Sequence, residues 1–103
     1  MPIIAVATLR VKPESVDILR EILIGAIEEV HGEPGCQLYA LHESGPTFVI
    51  IEQWADSEAL RTHIAAPAAT KLQAAHGHLE GPPDIRILNP LAAGDPDKGQ
   101  LRR

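Results

Sequence analysis

Residues 48–63, which read F-V-I-I-E-Q-W-A-D-S-E-A-L-R-T-H, constrain the fold more than any other stretch of the chain. The β-branched and aromatic run at residues 48–51 predicts a strand, which ends in Glu52-Gln53-Trp54. Asp56-Ser57 is typical of a helix N-cap, and Glu58 adds negative charge to the first helical turn. The stretch therefore predicts a strand that leads directly into a helix.

The predicted helix carries a histidine on its apolar face. Its apolar side is formed by residues that stand three or four positions apart, namely Ala59, Leu60, His63 and Ile64. Desolvation among apolar neighbours penalises the charged imidazole, so this spacing predicts a neutral His63 near physiological pH. A neutral imidazole can accept a proton, which makes His63 the leading candidate for a catalytic residue. The alternative is a core histidine whose ring nitrogens bond to backbone or water.

The remaining segments predict the order β-α-β-β-α-β, which is the plan of a ferredoxin-like α+β sandwich with an antiparallel sheet. Residues 3–11 predict a first strand, and we expect alternate side chains to face the helices: Ala5, Ala7, Leu9 and Val11. The other segments are an amphipathic helix at residues 16–30, a hairpin strand at 36–43, a break in the second helix at Pro67, and a last strand at 84–88.

Four further residues are candidates for contact with a substrate. Phe48, Glu52 and Trp54 share strand parity and project to one side of the sheet. A buried Glu52 needs a hydrogen-bond donor or acquires a raised pKa. Tyr39 offers a phenol to a substrate oxygen. The alternative to substrate contact is that the three aromatic residues, Tyr39, Phe48 and Trp54, pack in the core.

A second histidine, His76, joins the apolar side of the helical piece after Pro67, with Leu72, Ala75 and Leu79. His76 and His78 stand two positions apart, and helical side chains at that spacing point away from each other. The sequence therefore predicts no metal site, and it contains none of the glycine-rich motifs that bind nucleotide cofactors.

Composition narrows the class of partner. A chain of 103 residues with 45% hydrophobic and 22% charged residues predicts one globular domain. The net charge of −5 provides no basic surface for nucleic acid or an anionic membrane. No apolar stretch approaches the roughly 20 residues that span a bilayer. We expect a cytoplasmic protein, and the single Cys36 fits a reducing compartment.

The pattern F-V-I-I-E-Q-W-x-D-S-E-A-L-x-x-H, with Glu33-Pro34-Gly35-Cys36-x-x-Tyr39 upstream, resembles the antibiotic biosynthesis monooxygenase family, the YgiN-like quinol monooxygenases in particular. The resemblance implies a dimeric α+β barrel, in which two sheets pack face to face and each subunit keeps a cavity between its sheet and helices. The long apolar first strand also favours a second covering surface from a homodimer partner. We assign residues 1–91 to this domain and expect residues 92–103 to form a flexible or partner-clasping tail.

The resemblance also implies a function, the oxidation of a hydroxylated aromatic such as a quinol or anthrone by dioxygen, without a cofactor. In this hypothesis His63 is the base or hydrogen-bond acceptor, and Trp54, Phe48 and Tyr39 surround the ring of a small aromatic substrate. Glu52 orients the donors, and His76 completes the set of predicted substrate-binding residues.

Three alternatives remain open at this point. One is a dimeric protein that binds a small molecule without turnover. A second is haem binding and degradation, as in a sister branch of the family, for which only His76 remains as a possible ligand. In that branch the positions of Ala7 and His63 hold an Asn and a Trp. The third, isomerisation of a phosphorylated metabolite, requires a basic cluster that the sequence lacks.

Overall fold

A computed structural model describes residues 1–102, apart from the side chains of residues 69 and 70. The strands are β1 (Ile3–Arg10), β2 (Cys36–Ser44), β3 (Thr47–Trp54) and β4 (Asp84–Leu88), and the helices are α1 (Val16–His31), α2 (Ser57–Ala65) and α3 (Pro67–Gln73). Short 3₁₀ turns precede α1 and follow α3. The strands form one antiparallel sheet in the order β2-β3-β1-β4. This arrangement confirms the predicted α+β fold.

The helices cover the predicted face of the sheet. Ala5, Ala7 and Leu9 of β1 and Val11 directly after it are all buried, as are Leu19, Leu23, Ala26 and Val30 of α1. Removal of this apolar surface from water is the main term that holds helix and sheet together.

Local chemistry sets the ends of α2. The Asp56 carboxylate accepts a hydrogen bond from the backbone N–H of Ala59 at 2.8 Å, which confirms the predicted N-cap. Ala66 is extended, with φ −74° and ψ 159°, because the proline that follows disfavours the helical conformation. The second helix is therefore interrupted at Pro67, as predicted, and α3 begins there.

The opposite face of the sheet, here called the outer face, is apolar at its centre. Val6 of β1 pairs with Ile51 of β3, and Ile51 pairs with Ala40 of β2; all three are half-buried. The described end of the chain returns to this face, where the Gln53 side-chain amide donates to the carbonyl of Arg102 at 3.4 Å. Arg103 of the predicted tail lies outside the described residues. No helix within residues 1–102 is long and apolar enough to cross a membrane.

Candidate functional site

His63 is the buried residue of α2, but the prediction that Ile64 shares its buried face is wrong. Ala59 and Leu60 are half-buried, whereas Ile64 is 66% exposed. The reason is that Ile64 lies about 100° around the helix from His63, beyond the narrow strip that faces the sheet. The imidazole instead contacts aromatic rings and carboxylates.

Two aromatic rings enclose the imidazole of His63. The ring of Trp54 stacks on it with centroids 4.6 Å apart and planes at 28°, and the ring of Tyr39 meets it edge-on at 5.7 Å. Burial, reinforced by the charges of Glu52 and Glu33, raises the pKa of the Tyr39 phenol. Tyr39 therefore remains a neutral hydrogen-bond donor at physiological pH.

Two carboxylates flank the same imidazole. Glu33 Oε1, from the loop between α1 and β2, lies 2.6 Å from His63 Nδ1. Glu52 Oε1, from β3, lies 3.9 Å from Nε2, which is too long for a direct hydrogen bond. Sequence reasoning did not select Glu33 as a site residue, although it opens the Glu33-Pro34-Gly35 motif. The neutral state of His63 stays a prediction.

Glu52 has the donor that its burial requires. The indole N–H of Trp54 donates to Glu52 Oε1 at 2.9 Å, and both residues are buried. Burial raises the pKa of Glu52 and the charge of Glu33 adds to this rise, whereas the hydrogen bond from Trp54 and the proximity of His63 oppose it. The prediction for Glu52 named a donor or a raised pKa, and the indole of Trp54 is that donor.

The raised pKa of Glu52 makes stability depend on pH. Protonated Glu52 contributes fully to the free energy of unfolding at pH values below the pKa of this residue in the unfolded chain. The contribution is lost as pH rises through the higher pKa that Glu52 has in the folded protein. We expect Glu52→Gln, which cannot ionise but still accepts from Trp54, to gain stability relative to the wild type as pH rises from the unfolded pKa of a glutamic acid, about 4.3, through the higher folded pKa of Glu52. The gain cannot exceed about 1.4 kcal/mol per pH unit.

Urea unfolding at a series of pH values and one protein concentration measures this difference. Glu21→Gln, at an exposed position of α1, is the matched control and should follow the wild type at every pH. A constant difference between wild type and Glu52→Gln across the range would contradict the prediction.

A cavity of about 140 Å³ lies between the sheet and the helices. It brings together four of the predicted site residues, namely Tyr39, Glu52, His63 and His76. Both the sheet and the helices contribute apolar side chains to its lining, which include Ala7, Leu23, Ile50, Leu72 and Leu79. The edge strand β4 supplies Ile85, which is 60% exposed, so the cavity reaches the surface beside β4.

The other two predicted contact residues do not line this cavity. Trp54 is fully buried and stacks on His63. Phe48 is buried on the same strand face but lines a separate groove of about 170 Å³ between α1 and the hairpin of β2 and β3. Its distance along β3 from Glu52 explains the separation, because four strand residues span about 13 Å.

His76 and His78 lie in different surroundings and do not face a common site. His76 lines the cavity, whereas His78 Nδ1 lies 3.0 Å from the hydroxyl of Ser15. Within residues 1–102, no group of three or more His, Cys, Asp or Glu side chains is arranged to hold a metal ion.

Comparisons with known proteins show the family, through a family model, and the fold, through solved structures. Residues 2–75 match the family model described as antibiotic biosynthesis monooxygenase. The chain is similar to the solved structure of Rv0793 from Mycobacterium tuberculosis, with 28% identity, a TM-score of 0.85, and coverage of 92% of this chain and 100% of that one. A conserved protein from Methanosarcina mazei is 26% identical, with a TM-score of 0.82 and coverage of 85% and 91%. A Nitrosomonas europaea protein of unknown function is 27% identical, with a TM-score of 0.82 and coverage of 92% and 94%. No curated protein matches the chain.

Proposed function

This chain belongs to the antibiotic biosynthesis monooxygenase family, and on that basis we propose that it oxidises a hydroxylated aromatic substrate, a quinol, with dioxygen and without a cofactor. The observation that carries the proposal is a buried imidazole at the wall of a cavity, held between two aromatic rings and two carboxylates. Ionisable groups buried together beside a cavity are typical of catalytic sites.

The size of the cavity supports a substrate with one ring. Its volume of about 140 Å³ is close to that of an engineered protein cavity of about 150 Å³ that binds benzene. This volume favours a monocyclic quinol over a tricyclic anthrone, and it disfavours haem, which is larger still.

The proposed chemistry begins with proton transfer to His63. Nε2 accepts the hydroxyl proton of the substrate, and Tyr39 donates a hydrogen bond to a substrate oxygen. The resulting phenolate is electron-rich enough to reduce dioxygen directly. One oxygen atom enters the ring and the other leaves as water, with the substrate supplying two hydrogens and all four electrons.

Oxygen uptake with a panel of monocyclic quinols tests the proposal. We expect protein-dependent uptake with a hydroxyquinone as product, and no product under anaerobic conditions. An anthrone should be a poorer substrate because it exceeds the cavity. Uptake that is the same with and without the protein, over the whole panel, would overturn the proposed activity.

A homodimer through the outer face is the second part of the proposal. Its support is the apolar centre of that face, where Val6, Ala40 and Ile51 meet on three adjacent strands and are only half-buried. A second copy would bury this centre by face-to-face packing of the two sheets.

Ile51→Asp tests the dimer, because it places a charge at the centre of the proposed interface. We expect the wild type to sediment with the mass of two chains and Ile51→Asp with the mass of one. Ile18→Asp, at a half-exposed position of α1, is the matched control and should remain dimeric. A monomeric wild type at micromolar concentration would contradict the proposal.

A further inference from the structure

We infer that Glu33 is a positioning residue that fixes the tautomer of His63, with hydrogen on Nδ1, so that Nε2 keeps its lone pair for a substrate. The inference rests on the proposed function for its catalytic consequence. The tautomer itself can be measured whether or not the protein turns over a substrate.

The contact between Glu33 and His63 is close and dry. Glu33 Oε1 lies 2.6 Å from Nδ1, and the two side chains are only 11% and 9% exposed. A carboxylate oxygen accepts a hydrogen bond and does not donate one, so we assign the hydrogen of this contact to Nδ1. Charge-assisted bonds of this length are among the strongest that side chains form, and the low exposure of both side chains limits the access of water that could replace this one.

Glu33 is held in place by backbone contacts on both sides. Its own N–H donates to the carbonyl of Val30 at 3.1 Å, and the carbonyl of Gly35 accepts from the N–H of Ala55 at 2.8 Å. These bonds join the loop to the end of α1 and to the junction of β3 with α2. The loop is thus fixed relative to the helix that carries His63.

Gly35 allows this loop to approach α2. It has φ +80°, a conformation that glycine adopts without strain. A Cβ atom at Gly35 would lie 2.5 Å from the Cβ of Ala59 on α2, so only glycine fits there. The Glu33-Pro34-Gly35 motif therefore combines a carboxylate with the one residue type that lets the loop pack against the helix of His63.

The two ring nitrogens of His63 have different neighbours. Nδ1 bonds to Glu33, which does not line the cavity, whereas Nε2 lies on the side of Glu52, which does. The gap of 3.9 Å between Nε2 and Glu52 Oε1 leaves both atoms within reach of one substrate hydroxyl. When Nε2 accepts the proton, the adjacent Glu33 carboxylate stabilises the imidazolium that forms.

Nitrogen-15 NMR of the imidazole rings tests the inference. In the wild type we expect His63 with hydrogen on Nδ1. In Glu33→Ala we expect a shift toward the tautomer with hydrogen on Nε2, which neutral histidine favours in water. Glu33→Gln keeps an acceptor oxygen and should restore the wild-type tautomer. Glu28→Gln, at an exposed position of α1, is the matched control and should leave the spectrum of His63 unchanged.

Kinetics supply the second readout. We expect Glu33→Ala to lower kcat by about 10- to 100-fold, as loss of a partner that orients a functional histidine typically does, with KM nearly unchanged. Glu33→Gln should recover part of kcat. An unchanged His63 tautomer in a folded Glu33→Ala protein would overturn the inference, even if the wild type is active. If the wild type turns over no quinol but the tautomer shifts as expected, the positioning role stands and the proposed function fails.

Discussion

The His63→Ala variant is expected to remain folded and to lose quinol turnover by about 10²- to 10⁴-fold, the usual contribution of a general base. The physical reason is that the proposed reaction assigns proton acceptance to His63 Nε2, and of the groups beside it Tyr39 is a neutral phenol and Glu52 Oε1 already accepts a hydrogen bond from Trp54. Initial rates of oxygen uptake over a range of quinol concentrations measure the loss.

His42→Ala is the matched control for this experiment. His42 is an exposed residue of β2 and lies outside the cavity that contains His63, so its removal should leave kcat and KM unchanged. Full turnover by His63→Ala would remove His63 from the reaction. A quinol that binds to the wild type without being oxidised would instead favour the hypothesis of a binding protein without turnover.

The largest expected effect on stability comes from Trp54→Ala. Trp54 is fully buried, and truncation of a buried tryptophan to alanine costs about 3–5 kcal/mol. The substitution also removes the donor to Glu52 Oε1, and an unsatisfied buried acceptor costs roughly another 1–3 kcal/mol. Since whole domains are stable by only about 5–15 kcal/mol, the variant should be close to unfolded at room temperature.

Urea unfolding followed by far-ultraviolet circular dichroism measures this loss, because the variant lacks the tryptophan that fluorescence would report. Trp54→Phe keeps an aromatic ring but no N–H, so it should lose less stability and report on the bond to Glu52. Leu91→Ala, at a position that is 88% exposed, is the control and should change stability by less than about 0.5 kcal/mol. Equal stability of Trp54→Phe and the wild type would show that the indole N–H contributes nothing.

Short-range patterns determined the elements of the fold. The β-branched run before Trp54, the Asp56 cap and the break at Pro67 each depend on residues within a few positions of one another, so each could be predicted from the sequence. The inward direction of His63 follows from the same helical spacing. The order of these elements predicted the α+β layer arrangement, which the sheet topology and the similar solved structures confirm.

The tertiary structure alone decided what surrounds His63. Glu33 is 30 residues away in sequence, and it reaches Nδ1 only because Gly35 lets its loop pack against α2. The sequence predicts Ile64 on the apolar face of α2 and Phe48 beside the substrate. Ile64 is exposed, however, and Phe48 lines the separate groove between α1 and the hairpin. Periodicity fixes the direction of a side chain within its own element, whereas the neighbours it meets depend on how separate elements pack. The sequence thus determined which elements form and which way His63 points, and the packing of those elements determined the carboxylates beside it.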